Sequence, residues 1–322
     1  MFEIRGELMK IAIITSGGDS PGMNAAIRAA VRTTMYYGYE PYVVYEGYRG
    51  LVEGKIEKSG RFSDCISHGG TLIKTSRLPE FVNDDVQQIA ANNLKELGIE
   101  NLVVLGGDGS FRGASELSNW GINCVCVPCT IDNDITSTDE TIGFDTALNT
   151  ILDAVDRLRD TSSSHQRCSL VEVMGRRCGD LAINAAICSG AEMVITRETG
   201  FDKEYIFEQM RKARLKGKKH AIIIITEGIT DSLDFAKELS EYSGFGCRAT
   251  ILGHVQRGGN PTGADRVLAS VLGSYAVDLI HMGLKNKVIG KIDGKLVNFD
   301  IDEALSMQPK ISKLYETIKK LG

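Results

Sequence analysis

The chain has 322 residues, 43% hydrophobic and 25% charged, a globular balance with enough apolar side chains for two domain cores. Its formal net charge of −5 excludes the broad basic face of nucleic-acid binders, so any phosphate site must be locally basic. No apolar run approaches the roughly 20 residues that cross a bilayer, and Met1 to Lys10 lacks a signal-peptide core; a cytoplasmic protein whose eight cysteines are reduced is expected.

Strand-like apolar runs alternate with amphipathic helical stretches, the pattern of parallel sheets covered by helices on both faces. The first strand, Ile11 to Ile14, runs into Thr15-Ser16-Gly17-Gly18-Asp19-Ser20-Pro21-Gly22 and then a helix from Asn24 to Tyr37, closed by Gly38. Side-chain-free backbone there lets a phosphate approach the amide-rich helix end, although a simple tight turn gives the same pattern. A strand at Tyr42 to Tyr45 and a helix from Asp84 to Leu97, closed by Gly98, follow.

The strand Leu102 to Leu105 leads into Gly106-Gly107-Asp108-Gly109-Ser110. An acidic residue beside a phosphate repels it unless a cation intervenes, so Asp108 points to magnesium bridging nucleotide oxygens; the plainer reading is an Asp capping a helix. After the strand Cys124 to Val127 and Pro128 comes Thr130-Ile131-Asp132-Asn133-Asp134. Phosphoryl transfer to an alcohol needs a proton acceptor and groups that orient metal and phosphate, and Asp132 with Asp134 can divide that work. Either aspartate alone would suit an Asx turn. Cys126 and Cys129 form a C-x-x-C pair, but no second Cys/His cluster completes a zinc site, and apolar packing is the simpler role.

Strands are further expected at Ser169 to Val173, Met193 to Thr196, Ala221 to Thr226 and Ala249 to Leu252. Around them cations collect: Arg167, Arg176 and Arg177, then His254 and Arg257 beside the glycine pair Gly258-Gly259. Arginine's planar fork matches phosphate oxygens, and the clustering suits a sugar phosphate as well as a nucleotide.

These motifs resemble the bacterial ATP-dependent 6-phosphofructokinases along nearly the whole chain. The matching strings are TSGGDSPGMNAAIR from Thr15, GGDGS from Gly106, TIDNDI from Thr130, TIGFDTALNT from Thr141, DTSSSHQR from Asp160, EVMGR from Glu172, KGKKHAII from Lys216 and GHVQRGG from Gly253. The resemblance implies two similar doubly wound three-layer α/β/α domains with largely parallel sheets. Residues 1–141 plus 260–308 would form the larger, ATP-binding domain, and 142–259 plus 309–322 the smaller, fructose 6-phosphate-binding one.

It also implies roles. Asp132 would take the proton from the sugar's 1-hydroxyl, Thr130 and Asp134 would shape the site, Asp108 would hold Mg2+, and Arg77 and Arg176 would stabilise the migrating phosphoryl group. ATP would be bound by Gly18, Arg77, Leu78, Gly107, Asp108, Gly109 and Ser110. Fructose 6-phosphate would meet Thr130, Asp132, Met174, Gly175, Arg176, Glu227, His254 and Arg257. Arg167 and Arg248 would reach it from a neighbouring subunit of a homotetramer. An effector site for ADP or phosphoenolpyruvate would use Arg28, Arg32, Arg61, Arg159, Glu192, Lys216, Lys218, Lys219 and His220.

Three features depart from the family pattern. Cys129 replaces a glycine; pyrophosphate-using relatives carry lysine there and aspartate at the place of Gly109, and neither is present. A thiol at 129 would make activity oxidant-sensitive if its surroundings favoured thiolate. The stretch Gly54 to Ser67 is shortened, which implies altered regulation, and Met1 to Leu8 forms an extension. A pyrophosphate-dependent phosphofructokinase is the alternative donor reading. NAD and diacylglycerol kinases, which share the GGDG turn, and a non-catalytic sugar-phosphate sensor are the other classes weighed. The first two lack the Thr130 to Asp134 loop paired with Met174-Gly175-Arg176, and a sensor would be suggested by loss of Asp108 or Asp132.

Overall fold

The structure is a computed structural model that describes residues 8–309, 312 and 314–321. The extension expected over Met1 to Leu8 lies outside the described residues except for Leu8. From the start of the chain the elements are β1 (Lys10–Thr15), α1 (Met23–Tyr36), β2 (Glu40–Val44), α2 (Gly47–Val52), β3 (Ile56–Lys58), α3 (Asp84–Glu96), β4 (Asn101–Gly106), α4 (Asp108–Asn119) and β5 (Asn123–Pro128). Next come α5 (Phe144–His165), β6 (Arg167–Val173), α6 (Asp180–Ser189), β7 (Met193–Ile195), α7 (Lys203–Leu215), β8 (Ala221–Thr226), α8 (Ser232–Ser243) and β9 (Gly246–Ile251). The last are α9 (Gly263–His281), β10 (Lys287–Ile292), β11 (Lys295–Asp300), α10 (Ile301–Ser306) and α11 (Leu314–Leu321).

The chain divides into two compact units, one of Met1–Thr130, Ile135–Gly143 and Arg257–Pro309, the other of Ile131–Asp134, Phe144–Gln256 and Lys310–Gly322. In the first, a seven-stranded sheet runs β11-β10-β5-β4-β1-β2-β3. Its five inner strands are parallel, and the edge strands β3 and β11 are antiparallel to their neighbours. Alternate residues of the parallel strands point to opposite faces, and both faces are buried. Ile11, Ile13, Val103, Leu105, Val125 and Val127 pack with residues of α1 and α9. Ala12, Ile14, Leu102, Val104, Cys124 and Cys126 pack with residues of α3 and α4. That two-sided burial is why these strands read as continuous apolar runs.

The second unit is a wholly parallel sheet of order β7-β8-β6-β9. Val171, Val173, Ile222 and Ile224 meet apolar residues of α5 and α6 and Tyr315 of α11. Leu170, Ile223 and Ile225 meet Ile206, Phe207, Met210, Phe235 and Leu239 of α7 and α8. Each unit is thus a wholly or largely parallel sheet sandwiched by helices. In such sheets ligands collect beyond the carboxyl ends of the strands, and those ends carry the turns that follow β1, β4, β5, β6 and β8.

Candidate active site

In the first unit the turns after β1 and β4 are laced together because their strands are parallel neighbours. Ser16 N–H donates to Leu105 O at 2.9 Å, and a Cβ at Gly106 would stand 2.6 Å from Ser16 O, so only glycine permits this approach. Gly17 (φ 86°) and Gly22 (φ 107°) take left-handed conformations that side chains resist. The irregular segment Thr71 to Leu78, between β3 and α3, returns to this end of the sheet, fastened to β1 by Thr15 Oγ1 donating to Lys74 O (2.8 Å) and Thr75 Oγ1 donating to Gly17 O (3.0 Å). Arg77 is exposed beside this fastening and Leu78 packs on the sheet.

Asp108 opens α4 directly after Gly107. Its carboxylate is half exposed and pairs with Arg112 Nη2 at 3.1 Å, one helical turn on. Among the described residues no three His, Cys, Asp or Glu side chains gather as a metal cage. A single half-exposed carboxylate at an amide-rich helix start, held among the described residues only by a solvent-facing arginine, fits magnesium, which keeps its waters and takes most remaining ligands from nucleotide phosphates. Gly109 faces open space, with nothing within 4 Å of where a Cβ would lie, whereas Ser110 is buried. Gly18 stands against the Arg257 guanidinium, and the Nε of Arg257 is buried with no hydrogen-bond partner among the described residues. Thr130 O accepts from Thr141 Oγ1 at 2.7 Å, which ties the two ends of the 130–141 excursion within this unit.

In the second unit, Asp132 is 3% exposed and Asn133 beside it is left-handed (φ 53°). Asp134 Oδ2 lies 3.8 Å from Arg176 Nη1. Arg176 is itself left-handed (φ 53°), held by its N–H donating to Glu227 Oε1 at 3.1 Å. A Cβ at Gly175 would sit 2.5 Å from Cys178 O, so the turn needs glycine there. Met174 N–H donates to Gln256 Oε1 at 3.1 Å. Gln256 is fully buried and escaped sequence reading, because an isolated glutamine carries no signal of a buried backbone clamp. His254 is exposed on the short 3-10 turn Gly253–Arg257.

Arg167 and Arg248 do not converge with Arg176 inside the second unit. Arg167 starts β6 whereas Arg176 lies past its end, a strand length of roughly 20 Å away. Arg248, on the adjacent β9, is in register with Ser169. Both arginines are exposed.

The effector candidates fall into two sets. Arg28 and Arg32 share one face of α1, with Arg32 Nη2 3.5 Å from Ser63 Oγ, and Arg61 is exposed. The segment after them docks on fully buried Asn24, which donates to His68, Gly69 and Gly70 carbonyls and accepts from Leu72 N–H. In the second unit Arg159 donates to Ser189 O at the end of α6 (2.5 Å), and Glu192 pairs with Lys218 (2.8 Å) while accepting from Ile222 N–H. Lys216 and Lys219 are exposed and His220 is half-buried.

One expectation is corrected. Cys129 does not occupy a thiolate-favouring setting: it is 1% exposed, packed among Ile142, Val127 and Leu268. Burial pushes its thiol well above the ordinary value, and nearby Asp265 pushes it the same way. The chain buries position 129 as a small apolar residue because its backbone bridges Ile142 at the sheet's end. All eight cysteines are free thiols.

Paired glycine turns, one opening a helix with a carboxylate, and a second unit presenting buried and arginine-paired aspartates define an α/β protein equipped to handle phosphate groups. The phosphofructokinase family pattern matches residues 10–280, and the chain belongs to that family. It is 51% identical over 318 residues to the ATP-dependent 6-phosphofructokinase of Vibrio campbellii, covering 98% of this chain and 99% of that one. It is 49% identical over 318 residues to the enzyme of the same name from Bacillus thuringiensis, covering 98% of this chain and 100% of that one. Phosphofructokinase from Saccharomyces cerevisiae superposes with a TM-score of 0.86 at 35% identity over 97% of this chain. The chain spans 46% of that yeast subunit's length.

Proposed function

We infer that this chain is an ATP-dependent 6-phosphofructokinase, moving the terminal phosphoryl group of ATP to the 1-hydroxyl of fructose 6-phosphate to give fructose 1,6-bisphosphate and ADP in glycolysis. The carrying observation is 51% identity over 98% of the chain to a relative of that activity. The Asp132 carboxylate takes the hydroxyl proton as the sugar oxygen attacks phosphorus, a contribution worth about 10²–10⁴-fold. Thr130 and Asp134 shape the loop. Arg77 and Arg176 neutralise charge on the migrating group. Gly18, Arg77, Leu78 and the Gly107 to Ser110 turn bind the nucleotide, and Asp108 would hold Mg2+, which would supply charge neutralisation at the phosphates.

Met174, Gly175, Arg176, Glu227, His254 and Arg257 bind the sugar phosphate. Arg167 and Arg248 complete that site from a neighbouring subunit of a homotetramer, a reading supported by their failure to converge with Arg176 within the second unit. The enzyme works in the cytoplasm; no helix among the described residues is long and apolar enough to cross a membrane. A small buried Cys129 and an unobstructed Gly109 favour ATP over pyrophosphate.

Purified protein given fructose 6-phosphate with magnesium ATP should form the bisphosphate and should form none above background with pyrophosphate; an equal or faster pyrophosphate rate overturns the donor assignment. In the same assay we expect ADP and phosphoenolpyruvate to act weakly, because the shortened Gly54 to Ser67 stretch removes effector contacts. Ordinary strong activation and inhibition would contradict that.

A further inference from the structure

Asn133 lies between the two aspartates of the 131–134 loop, in a left-handed conformation (φ 53°) that asparagine tolerates and that a side-chain anchor can fix. Its amide supplies one: Nδ2 donates to Asp180 Oδ2 at 3.0 Å. The Cys178 thiol points at Asn133 O from 3.9 Å. Asp180 is the first residue of α6, so its carboxylate rides on a helix and not on a loop. Burial pushes that carboxyl above its ordinary value, and the hydrogen bond from Asn133 opposes the rise.

The same spot holds the turn that carries Arg176. Cys178 N–H donates to Gly175 O at 2.8 Å, and Gly179 N–H donates to Glu198 Oε1 at 2.9 Å. A Cβ at Gly179 would come 2.8 Å from Thr196 Cβ and 2.7 Å from Glu198 Oε2. Tyr315 of α11 closes the cluster, its hydroxyl 2.9 Å from Thr196 Oγ1. The 131–134 loop and the 174–179 turn are therefore mounted on one packed corner of the second unit.

We propose that Asp180 is a positioning residue for phosphoryl transfer, fixing through Asn133 the loop that bears Asp132 and Asp134 in register with the turn that bears Arg176. This rests on the kinase reading above. A purely structural role, a carboxylate favouring the start of α6, would change stability and leave turnover alone. Misplacement of a reacting group by about 1 Å costs on the order of 10²-fold in rate, so the two roles separate kinetically.

The test is steady-state kinetics with fructose 6-phosphate and magnesium ATP, plus thermal melts, on wild type, Asp180→Ala, Asp180→Asn, Asn133→Ala and the Asp180→Ala/Asn133→Ala double variant. Asp180→Ala should lower kcat by roughly 10–100-fold with KM values changed little. Asp180→Asn keeps an acceptor for Asn133 and should recover most of the loss. The double variant should be no slower than the worse single one, since both cut the same link. Multiplying losses, an Asp180→Asn as slow as Asp180→Ala, or unchanged kcat with a lowered melting temperature overturns the proposal. If Asp180→Ala does not fold, Asn133→Ala decides, and full turnover there overturns it. An inactive wild type defeats the kinase reading and this proposal together, whereas an active wild type with unimpaired variants defeats this proposal alone.

Discussion

The guanidinium of Arg257 fills the space in front of Gly18: a Cβ at position 18 would lie 2.6 Å from Nη1 and 3.2 Å from Cζ. A residue proposed for the sugar phosphate thus leans on the turn proposed for the nucleotide, and the lack of a side chain at 18 sets where it rests. The obstruction is the free end of a flexible side chain, and Gly18 is not in a left-handed conformation. Gly18→Ala should therefore shift Arg257 without distorting backbone, raising KM for fructose 6-phosphate about tenfold while leaving stability within about 0.5 kcal/mol. Unchanged KM for both substrates in initial-rate measurements would show that the contact has no functional weight.

Thiol labelling gives a second prediction. Cys188 is exposed and Cys178 is half-buried, while the other six are buried. Cys178 is pushed up to about 12, chiefly by burial, so at pH 8 it remains the unreactive thiol and would ionise only as pH climbs toward that value. Cys247 is lowered by the hydrogen bond from Cys168, yet it is 2% exposed and closed to reagent. At pH 8 the native protein should label rapidly at Cys188 alone, and at all eight cysteines after denaturation. Peroxide should affect wild type and Cys129→Gly turnover alike; protection by Cys129→Gly would reverse the correction made for that thiol.

A third prediction concerns the packing of α1 on α9. A Cβ at Gly273 would stand 2.5 Å from Ala26 O, a backbone atom that cannot swing aside. Gly273→Ala gains helix propensity but forces the two helices apart, and overpacking of this kind costs about 1–3 kcal/mol. The first unit's unfolding midpoint in denaturant should fall, and an unchanged or raised midpoint would show that the helices separate at no cost.

The eight strands expected from sequence all overlap observed strands, chiefly because parallel strands buried on both faces announce themselves as apolar runs, the partly exposed β9 being the exception. What escaped were the antiparallel edge strand β3 and the β10–β11 hairpin, which ends the other side of the sheet, all of mixed composition. The hairpin turn did carry a signal, Asp293-Gly294 with φ 49° and 76° at its two central residues, the arrangement that Asp-Gly favours between paired strands. Glycine turns and paired aspartates stood out as candidates because phosphate and proton chemistry narrows which residues can serve. Asp180, Gln256 and Tyr315 were not. Each acts through a contact with a residue far along the chain, Asn133 for Asp180, Met174 for Gln256 and Thr196 for Tyr315, which no sequence pattern marks.

The central claim is that the buried carboxylate of Asp132 accepts the sugar's hydroxyl proton. Turnover of fructose 6-phosphate with saturating magnesium ATP, compared between wild type and Asp132→Asn, tests it directly, since the amide keeps the shape and removes the base. A fall in kcat of at least about a hundredfold, with substrate KM values changed far less, is expected. An Asp132→Asn enzyme that keeps turnover within a fewfold of wild type would contradict it.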